Sequence, residues 1–251
     1  TVTAPAGSIV SGQIANATLA LPSGLTVVGD TGIGTTSPSQ KLHVSASNPF
    51  FELQGTAATS GDTGIFLNAN ANHWILKADN YSSTNAFQIK QGDTSSSTAF
   101  MTINSIGAVT KPLQPAFSVR SDTNNTNFAL NTTHTVAFAT EIFDQNDDFA
   151  SNTFTAPVTG RYQLNAHFHF EDVASSANYL QADLNTSNRI YYSITDPSGY
   201  DATVTYHTFT TSILADMDAN DTATMSYRQS GGDQQIDLSG SQTYFSGYLV
   251  C

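Results

Sequence analysis

The sequence predicts an all-β protein, and three observations carry that prediction. Charged residues make up only 11% of the chain, against roughly 25% in an average globular domain, and Thr, Ser, Asn and Gly stand in their place. Apolar runs are short and are separated by Gly, Pro, Ser, Asn and Asp, with no long helical heptad among them. From Tyr162 the chain alternates strictly. Tyr162, Leu164, Ala166, Phe168 and Phe170 fall on one face, and Gln163, Asn165, His167 and His169 on the other. A period of two sustained over this stretch places one face on a core.

At 251 residues the chain has room for one large domain or two small ones. No stretch approaches the roughly 18 apolar residues of a spanning helix, so we expect a protein that is not membrane-embedded. No basic-then-apolar leader opens the chain, and Thr1 in place of Met points to a fragment or processed product. The single cysteine, Cys251, leaves the fold without an internal disulfide. Charge is uneven. Residues 1–113 hold five acids and four lysines, whereas residues 114–251 hold fifteen acids and four arginines. A net charge of −12 without a basic stripe argues against nucleic acid as a partner.

Three segments follow along the chain. Residues 1–44 form an N-terminal connector, Ala/Ser/Thr/Gly-rich through residue 28, with too little apolar surface to fold alone. It ends in Gly32-Ile-Gly-Thr-Thr-Ser-Pro-Ser-Gln-Lys-Leu-His-Val44, where Gly32 and Gly34 supply a tight turn before an alternating strand. This string resembles a connector found in phage tail-fibre and related virion shaft proteins. Residues 45–113 form a β-rich module with strands at Phe50–Leu53, Gly64–Asn68, His73–Lys77, Ala86–Lys90 and Ala99–Ile103. Each offers few inward apolar side chains, such as Ile65 and Leu67 or Phe87 and Ile89. One copy would have a thin core and bare edges, so the module is expected to be a trimeric fibre shaft. Pro112 and Pro115 mark its end.

Residues 114–251 form the head. Strands are expected near 116–120, 127–130, 134–139, 152–156, 160–170, 177–185, 188–194, 203–214, 221–229 and 242–250, the spacing of an antiparallel sandwich. The opposed parity of Val204 and Tyr206 to Phe209 and Ile213 predicts a bulge near His207. Pro157 and Gly160 specify a turn in which Gly160 takes a positive φ. Phe138, Asp144, Phe149, Phe154, Gly160 and Tyr162 follow one another at spacings that resemble the globular head of complement component one-q. Tyr244-Phe-Ser-Gly-Tyr-Leu-Val250 resembles that domain's closing strand. The resemblance implies a jelly roll, shared with the tumour-necrosis-factor family. Leu164 and Ala166 depart from it by replacing aromatics, and the step from Phe149 to Phe154 is short.

Alternating strand direction puts the loops 140–151, 171–176, 195–202 and 230–241 at the end away from the shaft. Glu141, Asp144, Asp147, Asp148, Glu171, Asp172, Asp196, Asp201, Asp233 and Asp237 would cluster there. Three copies would crowd these carboxylates, either as solvated loops or around calcium, which takes six to eight oxygens in irregular geometry. Asp144, Asp147 and Asp148 are the candidate ligands. Some complement-type heads hold calcium near the trimer apex, so the resemblance implies the same ion. His167 and His169 share a strand face, as transition-metal ligands across a threefold axis or as ordinary interface histidines. Tyr191, Tyr192, Asp196, Tyr200 and Asp201 are the candidate receptor-binding residues, since Tyr joins an apolar ring to a polar tip. Nothing marks a catalytic triad or paired carboxylates in a groove, and no enzyme is expected.

Together these readings describe the distal part of a phage tail fibre. It would be a homotrimer in the virion, outside the cell, adsorbing to a host surface glycan or outer-membrane protein. Other tail proteins would attach through its N-terminal side. The alternative is a structural or decorating virion protein, or a bacterial surface adhesin, with the head acting mainly as a trimerisation module.

Overall fold

A computed structural model describes residues 29–54, 63–69, 72–79, 85–92, 98–124 and 126–251. The chain divides into two units, residues 1–54 and 55–251. In the first, β1 (Thr31–Ile33) lies parallel to β2 (Leu42–Val44), with Gly32 opposite His43. The turn depends on Gly34. Its φ is 77° and a Cβ there would stand 2.1 Å from the Ser45 carbonyl oxygen, so a side chain is excluded twice over. The strand expected at Phe50–Leu53 does not form; these residues are irregular and exposed, and no strand among the described residues pairs with them.

The second unit opens with an antiparallel sheet of β3 (Thr63–Ala69), β4 (Asn72–Asp79), β5 (Ala86–Gln91), β6 (Ala99–Ile103) and β7 (Val109–Thr110) in sequential order. The register sets Ile65 opposite Leu76, Leu67 opposite Trp74, Leu76 opposite Ile89, and Phe87 opposite Ile103. One face is therefore apolar. A register shift between Ile89 and Lys90 gives β6 an extra residue, Phe100, whose ring stacks on Trp74 at 5.2 Å. Ile65 and Leu67 share a face with Phe87 and Ile89, as expected, and much of it is exposed: Ile65 is 40%, Leu67 55%, Trp74 41% and Phe87 43% exposed. Ile75, Lys77 and Lys90 on the other face are the buried ones.

After Pro115 the chain builds a two-layered sandwich. One sheet runs β10 (Thr140–Asp144), β8 (Ala116–Arg120), β19 (Tyr244–Leu249), β13 (Gly160–Val173), β16 (Val204–Met217), with β18 (Asp237–Leu238) also on β13. The other runs β11 (Phe149–Ala150), β12 (Thr153–Thr155), β17 (Thr222–Gly231), β14 (Ala177–Thr186), β15 (Ile190–Thr195), with β9 (His134–Thr135) on β17. All pairings within it are antiparallel. The alternation that announced β13 holds: Tyr162, Leu164, Ala166, Phe168 and Phe170 are wholly buried. They meet Leu180, Ala182 and Leu184 of β14 and Ala223, Met225 and Tyr227 of β17 in one core. Phe117 is its hinge point, stacked on Phe154 at 4.6 Å and on Phe149 at 5.2 Å and edge-on to Phe245 at 4.9 Å. Each such side chain contributes roughly 1.5–3 kcal/mol by leaving water.

Four expectations for this region need correction. Residues 140–151 are not one loop: β10 pairs with β8, Thr140 opposite Arg120 and Asp144 opposite Phe117, and a bulge between Glu141 and Phe143 breaks its alternation. Residues 127–130 form no strand; Phe128 instead packs edge-on against Tyr227 at 4.9 Å. β16 has no bulge at His207. Its register with β13 runs unshifted from Met217 opposite Gly160 to Val204 opposite Val173. Tyr206 lies on the outer face, 65% exposed, while Val204 and Val173, past the positive φ of Asp172, pack on the core. Gly160 has no positive φ. A Cβ there would come within 2.7 Å of both the Cys251 carbonyl oxygen and Leu249 Cδ1, so close approach of the terminal strand demands glycine. Beside it, the buried Tyr162 hydroxyl donates to the Val158 carbonyl at 2.7 Å and ties the turn to the core.

Candidate functional site

The sandwich has a base, where the chain enters β8, and a far end. β15 and β16 leave their connecting loop at the far end, and that loop carries the short 3-10 turn Pro197–Gly199. Asp196 caps the turn by accepting from the Ser198 backbone N–H at 2.9 Å, and hydrogen bonds from Ser198 hold its carboxyl below the usual range. Tyr200, 42% exposed, meets His207 edge-on, and Asp201 beside it is exposed. The structure thus gathers Asp196, Tyr200 and Asp201 on one outward loop. It does not bring the other two tyrosines there. Tyr191 turns inward and packs on the core, and Tyr192 lies mid-strand on the outer face of β15 opposite Asp183, 63% exposed between Ile190 and Ile194.

The acidic residues divide between the two ends. Glu171, Asp172, Asp196, Asp201, Asp233 and Asp237 stay at the far end, on or beside the connections that β13, β15 and β17 make there. Asp144, Asp147 and Asp148 do not. Because β10 runs back along β8, they reach the base. Gln145 donates there to the carbonyls of Lys111 at 3.0 Å and Gln114 at 2.6 Å, and Asn146 to that of Leu113 at 3.2 Å. Asp144 is occupied, accepting from the Phe149 N–H at 2.7 Å. Asp148 lines a cleft of about 700 Å3 with Leu113, Pro157, Val158 and Val250. Burial pushes its carboxyl up, and the charges of Asp144 and Asp147 push it further. Among the described residues no three His, Cys, Asp or Glu side chains gather as a metal site.

Sequence reasoning did not find the most distinctive surface, the outer face of the β10-β8-β19-β13-β16 sheet. Tyr206, Leu214, Tyr244 and Tyr248 all project from it and are exposed. At its centre stand His167 and His169. His167 Nδ1 shares a hydrogen bond with Thr210 Oγ1 at 3.1 Å, and His169 Nδ1 with Thr208 Oγ1 at 3.2 Å. The Tyr244 ring lies 6.0 Å from His167 and the Tyr206 ring 5.5 Å from His169. Burial, then the neighbouring His169, lowers the basicity of His167. The parity of Tyr244 and Tyr248 against Phe245 in the closing strand is the signal that would have revealed this face.

Residues 116–250 match the C1q domain family. The chain belongs to that family. The match covers more than half of the chain, and β8 to β19 account for it. C1q domains form trimers and are typically ligand-binding or structural modules without catalysis. Among solved structures, the chain is similar to the globular domain of zebrafish complement 1qA. The two are 18% identical, with 55% of this chain and 98% of that one covered, at a TM-score of 0.40. It is also similar to murine APRIL, 12% identical, covering 55% of this chain and 99% of that one at a TM-score of 0.41. No curated protein matches the chain. No helix of the described residues is long and apolar enough to cross a membrane.

Proposed function

We propose that this chain is the distal part of a virion fibre, a phage tail fibre in the first instance. It would be a homotrimer whose C1q head adsorbs to a host surface glycan or outer-membrane protein. In this reading residues 1–44 are the connector toward other tail proteins, 45–113 the shaft module and 114–251 the head. The observation that carries it is the bare apolar face of the β3–β7 sheet. Ile65, Leu67, Trp74 and Phe87 are too exposed for a solitary chain, and contiguous apolar patches of that kind mark interfaces. Three copies facing one axis would bury them. The head offers the same demand, with apolar residues on its outer sheet face (Tyr206, Tyr244, Tyr248) and on the separate edge strand β15 (Ile190, Tyr192, Ile194). Two different patches on one copy suit a heterologous contact that closes into a ring.

The fibre assignment itself rests on the Gly32–Val44 connector sequence, and receptor binding on the exposed far-end loop with Asp196, Tyr200 and Asp201. Weak contacts per head suffice, because three heads on several fibres bind together. Competition tests it: excess purified chain is expected to block adsorption of the parent particle, and Tyr200→Ala is expected to lose that block while remaining folded. Full adsorption at saturating chain would refute receptor binding and leave the head as an assembly clamp.

A further inference from the structure

The outer sheet face holds two imidazoles where a trimer would bury them. We propose that His167 and His169 make association of copies through this face acid-sensitive, so that the heads part in acid while each remains folded. The inference rests on the trimer reading above.

Each Nδ1 is bound to a threonine hydroxyl of β16, Thr210 for His167 and Thr208 for His169, which fixes ring orientation. The His169 side chain is only 13% exposed, and its Nε2 is buried with no hydrogen-bond partner among the described residues. A proton added there needs an acceptor. From β13 itself Glu171 is the neighbouring carboxylate, but its Oε1 stands 4.0 Å from His169 Nε2, too long for a hydrogen bond. From β18, Asp237 pairs with Glu171 and is already taken by the Asn127 N–H at 2.6 Å. From β16 the facing groups are Tyr206, Thr208 and Thr210, and from β19 Tyr244, Ser246 and Tyr248, all uncharged near neutrality. Arg120 on β8, opposite Tyr244, is a cation and is paired with Asp122. Nothing on this face therefore neutralises a charge on His167, and charging both rings sets two cations on one strand face. His167 is already harder to protonate than usual because of burial and His169.

The sign follows from linkage. A second copy laid over the face desolvates the rings further, so the assembled state binds fewer protons than the separated one. Association is full above the His167 pKa of the separated copy, itself below the ordinary histidine value, and weakens as pH falls through it. His207 also resists protonation through burial, but it points to the inner side of β16, so its charging would loosen the fold instead of the contact.

The test is sedimentation velocity of the full chain carrying Phe87→Asp, which disables the separate β3–β7 contact, at pH 7.5 and pH 5.0 with near-ultraviolet circular dichroism on the same samples. The expected result is a trimer at pH 7.5, at pH 5.0 a monomer with its aromatic signal kept, and a trimer at both for His167→Gln/His169→Gln. The trimer dissociation constant should rise by at least about tenfold per unit of pKa difference. In that background, a trimer with both histidines intact persisting at pH 5.0, a double variant dissociating in parallel with it, or loss of the aromatic signal together with the trimer each overturns the proposal. A monomer already at pH 7.5 overturns association through this face, and an unsubstituted chain that is monomeric at pH 7.5 overturns the trimer reading as well, which separates the two failures. If the double variant does not assemble at pH 7.5, His167→Gln alone is held to the same outcomes.

Discussion

Two buried tyrosines in one core offer a contrast that the structure makes quantitative. Tyr162 and Tyr227 are both wholly buried. The Tyr162 hydroxyl donates to the Val158 carbonyl at 2.7 Å, whereas the Tyr227 hydroxyl has no hydrogen-bond partner among the described residues. Burial pushes the Tyr227 hydroxyl well above its ordinary pKa, with the charge of Asp237 adding to it. An orphaned buried hydroxyl costs about 1–3 kcal/mol of desolvation that nothing offsets. Tyr227→Phe deletes that oxygen and keeps the ring, which packs against Phe128 at 4.9 Å and Phe170 at 5.3 Å. The variant should gain about 1 kcal/mol, or about 2–4 °C in melting temperature for a chain of this size. Tyr162→Phe should lose about 1 kcal/mol, since it removes a made bond. Thermal unfolding followed by circular dichroism at one fixed chain concentration reads both, because assembly makes the midpoint concentration-dependent. A destabilised Tyr227→Phe would show that the hydroxyl has a partner and that the polar accounting of this core is mistaken.

Three further outcomes are expected. Gly160→Val should cost about 1–3 kcal/mol by driving its side chain into the Cys251 carbonyl and Leu249, and an unchanged midpoint would mean that the terminal strand moves aside freely. Asp148→Asn should raise stability at pH 7 but not at pH 4. The raised carboxyl makes ionised Asp148 a liability that appears as pH climbs through its folded pKa, so the wild type alone should lose stability over that window; parallel pH profiles would refute it. Phe87→Asp should leave an isolated chain nearly unaffected, within about 0.5 kcal/mol for an exposed site, yet weaken assembly measured by light scattering.

How far these features could be foreseen depends on whether a local rule was intact. β13 was legible because its alternation runs unbroken beneath a core of aromatic residues. β10 was not, because the bulge after Glu141 leaves both Ile142 and Phe143 exposed and erases the period. Losing that strand moved Asp144, Asp147 and Asp148 from the base to the wrong end. The supposed bulge at His207 was the reverse error: outer-face Tyr206 looked like a core residue out of phase although the register is unshifted, and Val204 reaches the core at the strand's end opposite Val173. Gly160 was marked as special from the turn chemistry, but its reason, the packing of the chain's last residues against it, is a contact across 91 positions that no local pattern encodes.

The central claim is assembly, and the mass of the full chain in solution tests it most directly. Sedimentation equilibrium at micromolar concentration and pH 7.5 should return three times 26.6 kDa, with the exposed face of Ile65, Leu67, Trp74 and Phe87 covered. A folded, stable species of 26.6 kDa at that concentration would contradict it.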